Sequence, residues 1–274
     1  MQTPSVDSVQ RPPLDVERLR RALAETPELS FFSQLEVVES TGSTNADLIA
    51  RAGEPGIDQS VLLAEAQEAG RGRHARAWVS PPRAQISMSV LVRLRGIAPE
   101  VLGWLPLLTG VVVVDALRAT AGVDANLKWP NDVLIGGRKV SGILAEVATG
   151  GGEPVVVVGV GINVSLTETE LPVPHATSLL LAGAAELDRT VLVRSLLTEF
   201  ARRFADWRAA GWDTTGLIEA YRARCATIGA EVRAELPGGE VLTGVAAGID
   251  DHGRLVIGDR AVSAGDVTHL RAEY

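Results

Sequence analysis

The chain has one cysteine, Cys225, in 274 residues. A single thiol excludes an internal disulfide framework and a cysteine-rich zinc site. Cys225 lies among helix-forming residues and reads as a small buried apolar group rather than a nucleophile. Aromatic residues make up only 4% of the chain, so its core has to be built from Leu, Val, Ile and Ala. No uninterrupted apolar run reaches the roughly 18 residues that span a bilayer. The longest, around Val111 to Leu117, contains Asp115. The first residues, Met1 to Glu17, are Pro-rich and charged and lack the apolar segment of a signal peptide. A flexible arm and a cytoplasmic location are therefore expected. Positive charge is also scarce: 26 Lys and Arg face 34 Asp and Glu, for a net charge of −8. That balance speaks against a nucleic-acid-binding body, because phosphate backbones select basic faces. There is no Walker A lysine loop, no His-Glu-x-x-His and no evident Ser–His or Cys–His pair.

Against this background, Gly70 to Trp78 reverses the sign of the chain. It reads Gly-Arg-Gly-Arg-His-Ala-Arg-Ala-Trp. Ordering so flexible and cationic a loop costs backbone entropy. An anion arriving between guanidinium groups offsets that cost through two-point hydrogen bonds. A plain solvated loop is the competing reading. A second stretch, Lys128-Trp129-Pro130-Asn131-Asp132, places a lysine, an amide and a carboxylate on one turn. Pro130 cannot donate to a sheet and restricts Trp129 to extended geometry. An Asx turn with a solvated lysine is the alternative there. Third, Arg138 and Lys139 follow a Gly136-Gly137 hairpin turn and lead into a strand containing Gly142. A glycine inside a strand marks close approach of a ligand or another backbone. Lys128 and Lys139 lie across one hairpin, so both ammonium groups can face one pocket. Fourth, Gly159-Val160-Gly161-Ile162-Asn163 ends an apolar strand. It lacks the third glycine and the following helix of a dinucleotide fingerprint. Its glycines suit a backbone brought close to a flat ligand. His175, His252 and His269 have no neighbouring candidate ligand in the sequence, which argues against a metal role.

The pattern of elements predicts an α+β fold: a mixed sheet packed with helices, followed by a small C-terminal SH3-like barrel. Ser43 has the composition of a helix N-cap. Leu102 to Ala119 reads as a long helix buried on most sides, and Thr190 to Ala209 as another helix. After Ile228 come short alternating strands joined by tight turns, the signature of a small barrel. The expected division is a flexible arm over 1–30, a catalytic domain over 31–227 and the barrel over 228–274.

Taken together and in order, Ser43-Thr44-Asn45, Gln67, the Arg loop with Trp78, Lys128 to Asp132, Arg138 to Leu144 with Lys139, and Gly159 to Asn163 resemble the biotin protein ligases of the biotin/lipoate ligase superfamily. The resemblance covers roughly Leu35 to Leu270. It implies an ATP-dependent ligase that makes biotinyl-5'-AMP and passes the biotinyl group to a lysine of a biotin carboxyl carrier protein of an acyl-CoA carboxylase. It implies Mg²⁺ accompanying ATP, held mainly by the phosphates with Asp132 as a possible ligand. Ser43, Thr44, Asn45, Gln67, Gly70, Arg71, Gly72, Gly142 and Gly159 are implied for biotin. Arg76, Trp78, Asn131 and Asn163 are implied for ATP. Arg73 and Lys139 are implied for both, and with Lys128 and Asp132 for catalysis. Relatives of this kind often carry glycine where this chain has Ala75. Nucleic acid and membrane are not expected partners, and no repressor function is expected. The nearest rival within the superfamily is a lipoate ligase. A non-catalytic biotin or nucleotide sensor is the rival of another class.

Overall fold

The computed structural model describes residues 9–148, 153–236, 238–263 and 265–270. Seven strands form the main sheet. They are β1 (Gln34–Val38), β2 (Ser60–Ala64), β3 (Gln85–Arg93), β4 (Ala125–Lys128), β5 (Asp132–Ile135), β6 (Arg138–Ala148) and β7 (Val155–Asn163). Their spatial order is β1-β2-β3-β7-β6-β5-β4, with β1 and β2 parallel and every other neighbour antiparallel. Successive side chains of a strand point to opposite faces. In β3 the residues Ile86, Met88, Val90 and Val92 join one apolar core, and in β7 so do Val156, Val158, Val160 and Ile162. The intervening positions run Gln85, Ser87, Ser89, Leu91 and Arg93 in β3 and Val155, Val157, Gly159, Gly161 and Asn163 in β7. One face of the sheet is therefore aliphatic; the other is small and polar from Gln85 to Ser89 and from Gly159 to Asn163, and apolar beyond, where Leu91, Val155 and Val157 pack with Leu48 of α2.

The aliphatic face is covered by α3 (Trp104–Ala121) and α4 (Arg189–Ala209), which also pack on each other. By length and composition, Pro99–Ala121 is apolar enough to cross a membrane. Here Leu108, Val113 and Leu117 are fully buried in the core. Asp115, the charge within that apolar run, accepts a hydrogen bond from Arg224 Nε at 2.5 Å and another from Arg203. On the opposite face the short α2 (Thr44–Ala50) packs against β2, β3, β6 and β7. Ser43 caps α2 as expected, accepting from Ala46 N. Cys225 follows α5 (Thr215–Arg222), and burial pushes its thiol pKa up, which suits a packing role.

The C-terminal region forms a separate antiparallel sheet of β8 (Glu231–Glu235), β9 (Val241–Ile249), β10 (Leu255–Ile257), β11 (Arg260–Val262) and β12 (Asp266–His269), in the order β11-β10-β9-β8-β12. Two tryptophans tie it to the main fold. Trp129 Nε1 donates to Gly253 O at 3.0 Å and Trp104 Nε1 to Asp251 O at 2.8 Å.

Part of the expected flexible arm is instead packed into the fold. Residues Val16–Glu25 form helix α1, capped by Asp15, and Leu14 and Leu19 are buried in the main core. Arg11 forms a two-point ion pair with Glu170, at 3.0 and 2.6 Å, and also donates to Ser165. These partners are more than 150 residues away, so local composition carries no trace of them. The Arg11 hydrogen bonds hold the Glu170 carboxyl at about 2, below its ordinary 4.5. A depressed carboxyl stabilises the fold fully above its unfolded pKa and loses that contribution as pH falls through the folded value. Thermal midpoints of the wild type and Glu170→Gln should therefore differ near neutral pH and converge as pH falls from about 4.5 toward 2.

Candidate active site

The small polar face of the sheet is the floor of a cavity of about 820 Å³. Cross-strand pairing aligns its residues in rows. Lys128 pairs with Asp132, Asp132 with Gly142, Gly142 with Gly161, and Gly161 with Ser87, so one row crosses five strands. The next row is Leu144, Gly159 and Ser89. Directly opposed residues share a face, so the row places Lys128 and Asp132 over the same cavity as the two glycines. Asn131 Nδ2 donates to Ile143 O at 3.2 Å, while Ile143 N donates to Asn131 O at 2.9 Å. These bonds fix the turn after Lys128 on β6. The Trp129–Pro130 peptide in that turn is cis.

The glycines admit a large ring. A Cβ on Gly161 would lie 2.5 Å from Trp78 Cε2, and one on Gly142 would lie 3.1 Å from Trp78 Cζ3. The Trp78 indole thus rests on bare backbone. Its Nε1 donates to Gln85 Oε1 at 2.6 Å, and Gln85 Nε2 donates onward to Ser87 Oγ at 2.9 Å. Both ends of that buried amide are engaged, which fixes its orientation. Lys139 Nζ lies 5.5 Å from a Trp78 ring centroid and 2.6 Å from Asp132 Oδ1. Lys139 is held from behind as well: its N donates to His175 O, and its O accepts from Thr177 N, both at 2.8 Å.

At the other end of the cavity, Gln67 Oε1 accepts from Thr44 N at 2.9 Å and from Thr44 Oγ1 at 3.1 Å. That arrangement leaves the Gln67 amide nitrogen as a donor. Ser89 Oγ lies 2.7 Å from Thr44 Oγ1 and 2.6 Å from Asn45 Oδ1. Asn45 Nδ2 donates to Leu144 O at 3.1 Å and to Glu146 Oε2 at 2.8 Å. Asn45 lines the cavity, yet its amide is spent on these protein partners.

The Arg loop forms the lid. Trp78 N donates to Gly70 O and Gly72 N to Arg76 O, both at 2.8 Å, so the loop closes on itself. Between them His74 and Ala75 adopt φ of 54° and 56°. Left-handed backbone at a non-glycine residue costs about 1–2 kcal/mol, so this loop carries strain at His74 and Ala75. Arg73 Nη1 donates to Asn131 Oδ1 at 3.1 Å and to Gly265 O at 3.4 Å. Arg76 pairs with Asp266 of β12. The lid therefore rests on the main sheet's turn and on the C-terminal sheet together. Burial lowers the pKa of Arg73, and it does the same for Lys128, where the nearby Lys139 charge also contributes.

Every residue the sequence assigned to the site lines this cavity except Gly70. Gly70 has a different reason to be glycine, since a Cβ there would lie 2.5 Å from Trp78 O. Gln85, Ser89, Glu146 and Asp266 were not anticipated. The alternation of Gln85, Ser87 and Ser89 with Ile86 and Met88 is a signal that a strand-by-strand reading finds. Asp266 carries no such signal, because its partner Arg76 is 190 residues away.

Comparison with known proteins agrees with this geometry. Residues 37–163 match the model of the biotin/lipoate A/B protein ligase family, and residues 227–270 match that of the biotin protein ligase C terminal domain. The chain belongs to the biotin/lipoate A/B protein ligase family. Within it, the chain is 49% identical over 269 residues to a biotin--[acetyl-CoA-carboxylase] ligase of Mycobacterium tuberculosis, covering 95% of this chain and 97% of that one. It is 34% identical over 238 residues to the enzyme of the same name from Paracoccus denitrificans, covering 83% of this chain and 97% of that one. Among solved structures, it superposes with a TM-score of 0.72 on a biotin protein ligase from Aquifex aeolicus in complex with biotin and ATP. The identity there is 25%, over 88% of this chain and 100% of that one.

Proposed function

We propose that this chain is a biotin--[biotin carboxyl carrier protein] ligase. It activates biotin with ATP to biotinyl-5'-AMP and transfers the biotinyl group to a lysine of the carrier domain of an acyl-CoA carboxylase. The observation that carries this reading is one cavity lined by a polar, glycine-floored end, by an indole on bare backbone and by Arg73, Lys128 and Lys139. Neither step needs a protein nucleophile.

In the first step the biotin carboxylate attacks the α-phosphorus of ATP and pyrophosphate leaves. Two anions have to meet, so fixed cations lower the barrier by stabilising the charge that develops. The backbone ties of Lys139 and its ion pair with Asp132 support this role for its ammonium. Arg73 and Arg76 come down from the lid, Arg73 toward the carboxylate and α-phosphate and Arg76 toward the outgoing phosphates. Ser43, Thr44 and Gln67 offer hydrogen-bonding groups for the ureido ring. Trp78 offers a face to the adenine, with Asn131 and Asn163 beside the nucleotide. In the second step the carrier amine attacks the mixed anhydride, forming an amide and releasing AMP. An ammonium approaching Arg73, Lys128 and Lys139 loses its proton more readily beside like charges, which favours the nucleophilic free amine.

Among the described residues, no group of three or more His, Cys, Asp or Glu side chains is placed to hold a metal ion, and Asp132 is paired with Lys139. The described residues thus offer no protein cage for Mg²⁺. The donor set suits an ion that arrives on the ATP phosphates and keeps its waters. Dependence on ATP supports a cytoplasmic site of action.

The first step is tested alone by biotin-dependent exchange of labelled pyrophosphate into ATP, without carrier. Exchange that requires biotin is expected; its absence with active protein contradicts the adenylation reading. The indole's place has its own test. Gly161→Ala puts a methyl 2.5 Å from Trp78 and should raise the KM for ATP about tenfold, an overpacking cost of 1–3 kcal/mol. The same overpacking should also lower the thermal midpoint by a few degrees. An unchanged KM for ATP would place the nucleotide away from Trp78.

A further inference from the structure

The mechanism above leaves unused an ion pair in the interior. Glu65 and Arg189 have side chains only 3% and 5% exposed, and Arg189 Nη1 lies 2.6 Å from Glu65 Oε2. Taking two charges out of water costs several kcal/mol per ion, and a well-packed apolar pair often serves stability equally well. The other bonds of this pair point toward the site. Glu65 Oε1 accepts from Leu14 N at 2.6 Å. Arg189 Nη2 donates to Pro12 O at 2.7 Å and Nη1 to Gln85 O at 3.3 Å. Asp15 N donates to Thr190 Oγ1 at 3.1 Å, on the same first turn of α4. Residues 11–15 thus cross the end of β3 as a strap, fastened at one side by Arg11 to Glu170 and at the other by this pair. Gln85 is the first residue of β3, and it is the residue that accepts the Trp78 indole N–H.

We infer that Arg189 is a positioning residue for nucleotide binding: with Glu65 and the strap it holds Gln85, and through Gln85 it sets the Trp78 ring on Gly161 and Gly142. The inference rests on the reading of Trp78 as the adenine platform. Lysine at 189 keeps a charge for Glu65 but cannot also reach both carbonyls, because it lacks the planar fork.

The test is steady-state adenylation by the full chain, varying ATP and biotin separately. Trp78→Ala is measured first. Arg189→Lys should raise the KM for ATP about tenfold and leave the KM for biotin within twofold, the split that marks a localised binding loss. In a Gln85→Ala background Arg189→Lys should add less than twofold, because coupled residues are not additive. An equal rise in both KM values, or the same tenfold effect in the Gln85→Ala background, overturns the inference and leaves the pair a purely structural role. The double variant Glu65→Met/Arg189→Met removes both charges while keeping apolar bulk, and it should show the same KM split if Arg189→Lys does not fold. If Trp78→Ala leaves the KM for ATP unchanged, the nucleotide reading fails and this inference with it. If Trp78→Ala raises it and Arg189→Lys does not, the inference alone fails.

Discussion

Replacing Lys139 by alanine is expected to reduce biotinyl-adenylate formation by about 10²- to 10³-fold, the scale of losing one fixed group that stabilises developing charge. The effect should fall on kcat more than on either KM. The reason is local. Lys139 opens β6, its backbone is held on both sides by residues 175 and 177, and its ammonium is aimed across the floor at Asp132, 2.6 Å away. Removing it takes a cation from the meeting point of two anions and leaves Asp132 facing them unpaired. Both changes oppose the reaction, so Lys139→Arg, which keeps the charge, should recover part of the rate. Single-turnover measurement of adenylate, quenched in acid, separates this loss from product release. Near-normal adenylation by Lys139→Ala would move the reacting centre elsewhere in the cavity.

Arg73→Gly has its largest expected effect on retention rather than on chemistry. Arg73 joins the lid to the turn at Asn131 and to Gly265 beside β12. A charge-assisted hydrogen bond of this kind contributes about 1.5–3 kcal/mol, so its loss should speed adenylate release by roughly 10- to 100-fold. Free biotinyl-adenylate then acylates lysines without regard to carrier. The measurement is biotin incorporated into an unrelated lysine-rich protein mixed with the enzyme. Labelling of that bystander should rise sharply in the variant. Labelling confined to the carrier at the wild-type rate would remove Arg73 from the clamp. The strained Ala75 beside it bears on the same step, since a lid with unfavourable backbone at two successive residues stores a tendency to open.

The residues with chemical consequence that lie close in sequence were legible there. The alternation of Gly159 and Gly161 with valines announces a strand with one bare face, and Lys139 and Gly142 stand on its neighbour. Pairing in the sheet then brings Lys128, Asp132, Gly142 and Gly161 into one row, as facing pairs on adjoining strands must be. What was not legible depends on contacts distant in sequence. The arm looked free because its stabilising partners, Glu170, Glu65 and Arg189, lie far along the chain. Asp266 looked like any turn residue of a small β domain until the C-terminal sheet was seated against the lid. Asn45, implied for biotin by its motif, also donates to Leu144 O and Glu146 Oε2 of β6 and accepts from Ser89 Oγ of β3, contacts distant in sequence that the motif does not announce.

The central claim is that the polar, glycine-floored end of the cavity receives biotin and that the cationic centre delivers it to a carrier lysine. Its most direct test is intact-mass analysis of a biotin carboxyl carrier domain incubated with the chain, ATP and Mg²⁺, with biotin in one sample and lipoate in the other. The account predicts one biotinyl adduct on the carrier lysine and no adduct from lipoate. A lipoyl adduct without a biotinyl one, or no adduct on the carrier with either acid, would contradict it.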